Sequence, residues 1–340
     1  MKQETWQALL SFESRDIISE WFKKIHSREL NARRANEIVF AAKQAREYFK
    51  NSHSSDNTVR PLLTFYGVAS LSRALTLLLK RDGGEEGLAA GHGLETIGWK
   101  AHLSGAVEKG LQSLGGLTIK PCAGLFLDLE RHTDNRIAVH INSQSVDWRL
   151  SYGPQTCTEL AFSDVLQRIP DLRREHGVLE LDVLYAHVNK LAHENSNSII
   201  IACRASKPQL ITDFYKSLGY DVVISENGFA MQAGLELFSR NPPQFIHTYL
   251  NKTFGAIPAL HIAKPLPGNS RYSQICVTYI VSFVLGMLVR YFPTQWVSLV
   301  QGSKGDALWP TLNQAQHVVE ETFPELIIEL VSDVLAHPNV

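Results

Sequence analysis

RPLLTFYGVASLSRALTLLL, residues Arg60–Leu79, decides the fold of this chain. Pro61 stands at the first helical position, where its missing N–H costs nothing. Leu62, Phe65, Tyr66, Ala69, Leu77 and Leu78 spread around the helical wheel instead of forming one stripe, so the helix is expected to be buried on most faces. A second run, 275–289, is apolar on all sides and ends in Arg290, Tyr291, Phe292, Pro293 and Trp296, where the proline stops the helix. The two helices are expected to form the spine of one core, although most of the chain lies between them.

Working outward, 6–49 has charged faces and apolar stripes that predict two helices with a break near 26–31, and a polar segment, 51–58, leads into the central helix. Residues 82–93 are glycine-rich and predict a flexible connection; they lack a GKS or GKT ending and follow a helix, which argues against a phosphate loop. A helix is expected over 94–111. From 117 to 150 the period changes to two, predicting a β-hairpin or small meander around the turn-like 132–135. Helices are expected at 157–168 and 179–193, then strands at 198–205 and 221–234 around a helix at 209–218. A short strand follows within 258–266. Residues 314–337 predict one or two amphipathic helices interrupted at Pro324.

The expected class is therefore α+β: a mainly helical core built from both ends of the chain, with β structure from the middle. The expected regions are 1–116 (helical), 117–265 (mixed α/β) and 266–340 (helices packing back on the first region).

A chain of 340 residues with 44% hydrophobic residues can bury a substantial core, and a net charge of −1 argues against coating nucleic acid through bulk charge. Cys122, Cys157, Cys203 and Cys276 are far apart and show no CxxC or Cys/His spacing, so neither a metal site nor a disulfide framework is indicated. No cofactor is indicated. The amino terminus lacks a secretory signal pattern and 275–289 is short for a bilayer span, so a soluble cytoplasmic protein is expected, with no membrane partner.

The central helix, with AKQAREYF at 42–49, GHGL at 91–94, IPDL at 169–172 and LVRYFPTQW at 288–296, resembles the YaaC-like family of bacterial proteins over most of the chain. The family implies a fold and little chemistry. In addition, Phe65-Tyr66-Gly67, Ser72-Arg73-Ala74-Leu75 and Gly91-His92-Gly93 are similar to the second helix and following histidine of HEPN (higher-eukaryote and prokaryote nucleotide-binding) domains. Those are helical bundles, commonly dimeric, and some are metal-independent ribonucleases of bacterial defence systems.

The HEPN likeness implies an arginine and a histidine four to six residues apart on a helix. Arg240 and His247, with six residues between them, fit that spacing when it is counted as intervening residues, but Pro242 and Pro243 forbid a regular helix between them. His92 is expected in a loop or capping the following helix, and His187 and His193 are not spaced as metal ligands. Arg60, Arg73, Arg271 and Arg290 lie in or beside apolar segments, so each needs a carboxylate, a set of carbonyls or a bound anion. If they converge, they make a phosphate or nucleic-acid pocket with Tyr66, Tyr291 or Trp296 for stacking; otherwise they are structural. Arg168, Arg173 and Arg174 form a short basic cluster. Residues 311–340 carry Glu320, Glu321, Glu325, Glu329 and Asp333 without a Lys or Arg, which predicts solvated faces or an acidic docking surface.

Catalytic motifs such as GxSxG, HExxH and Walker or Rossmann fingerprints are missing from suitable contexts. The sequence therefore points first to a non-catalytic interaction or scaffold subunit of a bacterial multicomponent system, in stress or antiphage defence. A HEPN-type metal-independent ribonuclease and a nucleotide- or nucleic-acid-binding sensor are the alternatives. A homo-oligomer, or a partner subunit encoded nearby, is expected, with Glu320, Glu321 and Glu325 at the interface.

Overall fold

The computed structural model describes residues 3–141, 144–175, 181–253 and 257–338. The helices of the first third are α1 (Gln3–Leu9), α2 (Arg15–His26), α3 (Ala32–Ser54) and α4 (Arg60–Leu79). Then come β1 (His92–Ile97), α5 (Trp99–His102), α6 (Val107–Gln112), β2 (Thr118–Gly124), α7 (Leu125–His132), β3 (Arg136–Ile141), β4 (Gln144–Ser151), β5 (Leu160–Ala161) and α8 (Phe162–Leu166). The middle continues with β6 (Tyr185–Asn195), β7 (Ser198–Arg204), α9 (Gln209–Ser217), β8 (Asp221–Ser225), β9 (Gly228–Gly234), α10 (Leu235–Arg240), β10 (Gln244–Thr253) and β11 (Ile257–Ala263). The chain closes with α11 (Gln274–Tyr291), α12 (Pro293–Val300) and α13 (Trp309–Ala336). Helices and sheets are both present, as an α+β protein requires.

Both apolar runs are helices of one hydrophobic cluster, to which α13 also belongs. α4 and α11 are each long and apolar enough to cross a membrane, yet 67% and 89% of their apolar windows are buried within the protein itself. Two glycines set how closely α4 approaches its neighbours α3 and α11. A Cβ on Gly67 would lie 2.8 Å from the Phe49 ring, and one on Gly286 would lie 2.7 Å from Cβ of Phe65. Gly286→Val is therefore expected to overpack the spine and cost about 1–3 kcal/mol, read as a lower urea midpoint.

The main sheet is antiparallel with strand order β10-β11-β6-β7-β9-β8. One face, carrying Ala186, Val188, Ile201, Cys203, Leu260 and Ile262, packs with Ile211 and Tyr215 of α9, Phe238 of α10 and Ile137 and Val139 of β3 in a second core. β1, β2 and β5 form a small separate sheet, and β3 and β4 pair as a hairpin.

Several expectations are corrected. LFLDLERH is helix α7, because Leu125, Phe126 and Leu129 also satisfy the helical period and are buried together. Residues 94–111 are not one helix: β1 occupies their start, pairing with β2, and two short helices follow. The expected helix at 179–193 is strand β6 from Tyr185 onward, with Ala186 and Val188 inward; 179 and 180 lie outside the described residues. The polar segment at 51–58 begins as the last turn of α3. α13 runs through Pro324 as one helix, because Val318, Phe323, Ile327, Leu330 and Val331 bury both halves in the same core.

Candidate functional site

Strand alternation turns Tyr185, His187, Arg204 and His261 to the face of the main sheet opposite its second core. The register makes them a row: His261 stands opposite His187, and His187 opposite Arg204. Above the row, the 3-10 turn Pro170–Leu172 ends in exposed Arg173 and Arg174, and α13 contributes Gln314 and His317. These elements enclose a cleft of about 490 Å³, bordered also by Asp171 and Glu175. A recess of about 90 Å³ continues from it past Arg173 and His261 to His187, Arg204 and Ser206.

The cleft and its recess combine cations with the imidazoles of His187 and His261. His261 donates from Nδ1 to the Ala259 carbonyl at 3.2 Å, leaving Nε2 with its lone pair. Burial, then the neighbouring His187, hold its pKa down at about 3. Burial, followed by Arg204 and Arg173, also lowers the pKa of His187. The side chains of Arg173, Arg174 and Arg204 meet no hydrogen-bond or ion-pair partner among the described residues. Asp171 Oδ2 accepts from the Tyr249 N–H at 3.0 Å. Arg168, their neighbour in sequence, is structural: its Nε donates to the Lys264 carbonyl at 2.6 Å and Nη2 to that of Pro265 at 2.8 Å, and burial lowers its pKa to about 10.

The arginines expected to converge divide. Arg60 donates from Nε to Glu320 Oε1 at 2.9 Å, and the same carboxylate oxygen accepts from Ser52, Thr64 and Gln316. Arg60 is thus a structural partner. Arg73 is exposed, 3.9 Å from Glu85. Arg290 donates to the Tyr66 hydroxyl at 3.1 Å and lies over the Tyr291 ring at 5.1 Å, so Tyr66, Arg290 and Tyr291 do come together. His92 sits edge-on to Phe65, and its pKa is lowered by burial, then by Arg290 and Arg73. His92 begins β1 and caps no helix; its carbonyl accepts from the Tyr279 hydroxyl. Trp296 is buried, donating to the Asn57 carbonyl at 2.9 Å, and is not available for stacking. Arg271 is buried apart from the others, its Nε and Nη2 without hydrogen-bond partners; burial raises the phenol pKa values of Tyr152, Tyr215 and Tyr220, and the Arg271 charge offsets only part of that rise.

Two further expectations fail on geometry. Arg240 is exposed at the end of α10, paired with Glu236 at 2.7 Å, whereas His247 is buried in β10, where its Nε2 accepts from the His140 N–H at 3.3 Å. No helix face carries both. The acidic docking surface is also absent, because α13 turns its carboxylates inward to cations of the rest of the chain. Glu320 is 4% exposed against Arg60, Glu325 pairs with Lys252, Glu329 accepts from His140 and Tyr249, and Asp333 pairs with Arg149 at 2.7 Å. Glu321 is half-buried.

The residues of the cleft that sequence reasoning missed are His187, Arg204, His261 and His317. His187 was hidden by reading β6 as a helix, and 185–188, Tyr-Ala-His-Val, carries no strict alternation to correct that reading. The described residues contain no group of three or more His, Cys, Asp or Glu able to hold a metal ion. No curated protein and no solved structure matches the chain. The family model described as YaaC-like Protein matches residues 10–331, which include the spine helices, the sheet and every lining residue of the cleft, and so this chain belongs to the YaaC-like family.

Proposed function

We propose that the chain is a binding protein for a phosphate-bearing small molecule of nucleotide size, held on the open face of the main sheet. The observation that carries this reading is the placement of Arg173 and Arg174 on a cleft of about 490 Å³, and of Arg204 with Arg173 on the recess of about 90 Å³ that adjoins it, their side chains without protein partners among the described residues. Guanidinium forks suit phosphate oxygens, and that volume lies in the ordinary range of ligand sites. Glu175 at the border suits the hydroxyl or amino groups of the same ligand as an acceptor. The sensor alternative read from sequence gains this support. The ribonuclease alternative loses its Arg240–His247 pair, and the scaffold reading loses its acidic surface.

Calorimetric titration with AMP, adenosine and inorganic phosphate tests the reading. AMP is expected to bind, adenosine to bind at least about tenfold more weakly, and Arg173→Ala and Arg204→Ala each to weaken AMP by about tenfold or more, since a charge-assisted hydrogen bond contributes about 1.5–3 kcal/mol. Failure of AMP and phosphate to bind, or equal binding by the arginine variants, would refute it.

A further inference from the structure

We propose that β8 is the surface through which two copies of this chain pair, antiparallel, about a twofold axis at Val223. β8 is the outer strand of the main sheet, and no described strand pairs with its other side. The opposite edge, β10, is covered by α13 and the turn at Pro170–Leu172. Edge strands are ordinarily guarded by lysine, proline or a bulge. The sequence of β8, DVVIS, has neither lysine nor proline, its ladder with β9 runs without a register shift, and Val223 and Ile224 are 71% and 36% exposed.

The strand is complementary to itself. Counting back from the closing pair Ser225–Gly228, the alternation of an antiparallel ladder leaves the N–H and C=O groups of Val222 and Ile224 directed away from β9. With the axis at Val223, those groups of Val222 meet those of Ile224 in the second copy, and the reverse, giving two hydrogen-bonded pairs. Val223 then packs on its own counterpart, covering the most exposed large apolar side chain of the sheet. Asp221 falls opposite Ser225 of the second copy, whose hydroxyl donates to the carboxylate. A parallel arrangement would instead set Asp221 beside Asp221, and a one-residue slip would set it against Ile224 in one direction or against Glu226 in the other. Charge and register therefore select a second copy of this strand in one orientation. The contact is isologous and closes as a dimer. A five-residue ladder is small beside the roughly 1,200–2,000 Å² of a stable interface, so the dimer is expected to dissociate on dilution.

Sedimentation velocity over a concentration series should show a reversible monomer–dimer equilibrium, and Val223→Lys should raise the dimer dissociation constant by about tenfold or more. Lysine at this exposed position leaves the core untouched, and circular dichroism checks the fold. In a Cys157→Ser background, mild oxidation should cross-link the Val223→Cys variant, because opposed Cα atoms in a non-hydrogen-bonded pair lie about 4.5 Å apart, within disulfide reach. Asp221→Cys should not cross-link, since it faces Ser225 of the second copy and not itself. A monomer at every concentration, a dimer that Val223→Lys leaves unchanged, or equal cross-linking of the two cysteine variants would each overturn the proposal.

Discussion

Arg60→Ala is expected to lower the unfolding free energy by about 3–5 kcal/mol, the range for removing one partner of a buried ion pair. The effect comes less from the lost attraction than from what remains. Glu320 is 4% exposed, and its carboxylate is held between Arg60, Ser52, Thr64 and Gln316; burial pushes its pKa up most strongly, but the hydrogen bond and charge of Arg60 together with the other donors outweigh it and hold the pKa below the usual range. Without Arg60, that carboxylate keeps three neutral donors and no countercharge, so it must either stay ionised in a poorly solvated site or take up a proton. Arg60→Lys keeps the charge but not the two-pronged geometry and should cost less. Arg60→Met combined with Glu320→Leu should recover most of the loss, since the pair would be replaced by apolar volume. Urea titrations of the four proteins at neutral pH measure this; a loss below about 1 kcal/mol for Arg60→Ala would place the pair among solvent-screened surface contacts.

The same contact explains what the sequence could reveal. That Arg60 needs a partner followed from its position against an apolar helix, and that the last helix buries a stripe followed from Val318, Phe323, Ile327, Leu330 and Val331. That the partner is Glu320 could not be read, because it depends on how α13 crosses α4, a packing of distant segments with no local signature. Uniform acidity along 320–333 looked like a surface for a partner. It is instead one side of a charge match with Arg60, His140, Arg149 and Lys252, each from a different element. The spine helices were legible because apolarity on all sides has one physical meaning in a protein of this size. The cleft was not, since His187, Arg204 and His261 come from three strands, and only their pairing register makes them neighbours. β6 carries no clean period-two alternation, since Tyr185 and Ala186 are both buried and its ladder with β7 shifts register, so it read as a helix, and a strand misread as a helix sends its side chains to the wrong faces.

Acidification is expected to destabilise the protein through His247, by an amount that His247→Gln removes. Its imidazole is buried in β10 beside His140, Glu329 and Tyr249. Burial, against the pull of Glu329, holds its pKa down at about 4 from an ordinary value of 6.5. Between those two values the unfolded chain binds the proton and the folded chain does not, so stability falls as pH falls, by about 3 kcal/mol over the whole interval and about 2 kcal/mol between pH 6.5 and 5. Two other groups act in the opposite direction. Glu130, raised to about 7 by burial, holds its proton when folded and gains stability as pH falls toward 4.5. His140, raised by its hydrogen bond to Glu329, gives stability that is complete below 6.5 and is lost as pH rises through its folded value. The stability curve of the whole protein sums all of these, but the difference between the protein and its His247→Gln variant cancels the groups remote from the substitution and leaves His247 with its coupling to Glu329 and His140. Glutamine keeps an acceptor for the His140 N–H without a titrating ring. Urea unfolding of both proteins at pH 7, 6 and 5 should therefore show their stability difference shifting in favour of the variant by about 2 kcal/mol on acidification. A difference that does not move with pH would mean that the folded protein accommodates a charged imidazole at this position, in conflict with its burial.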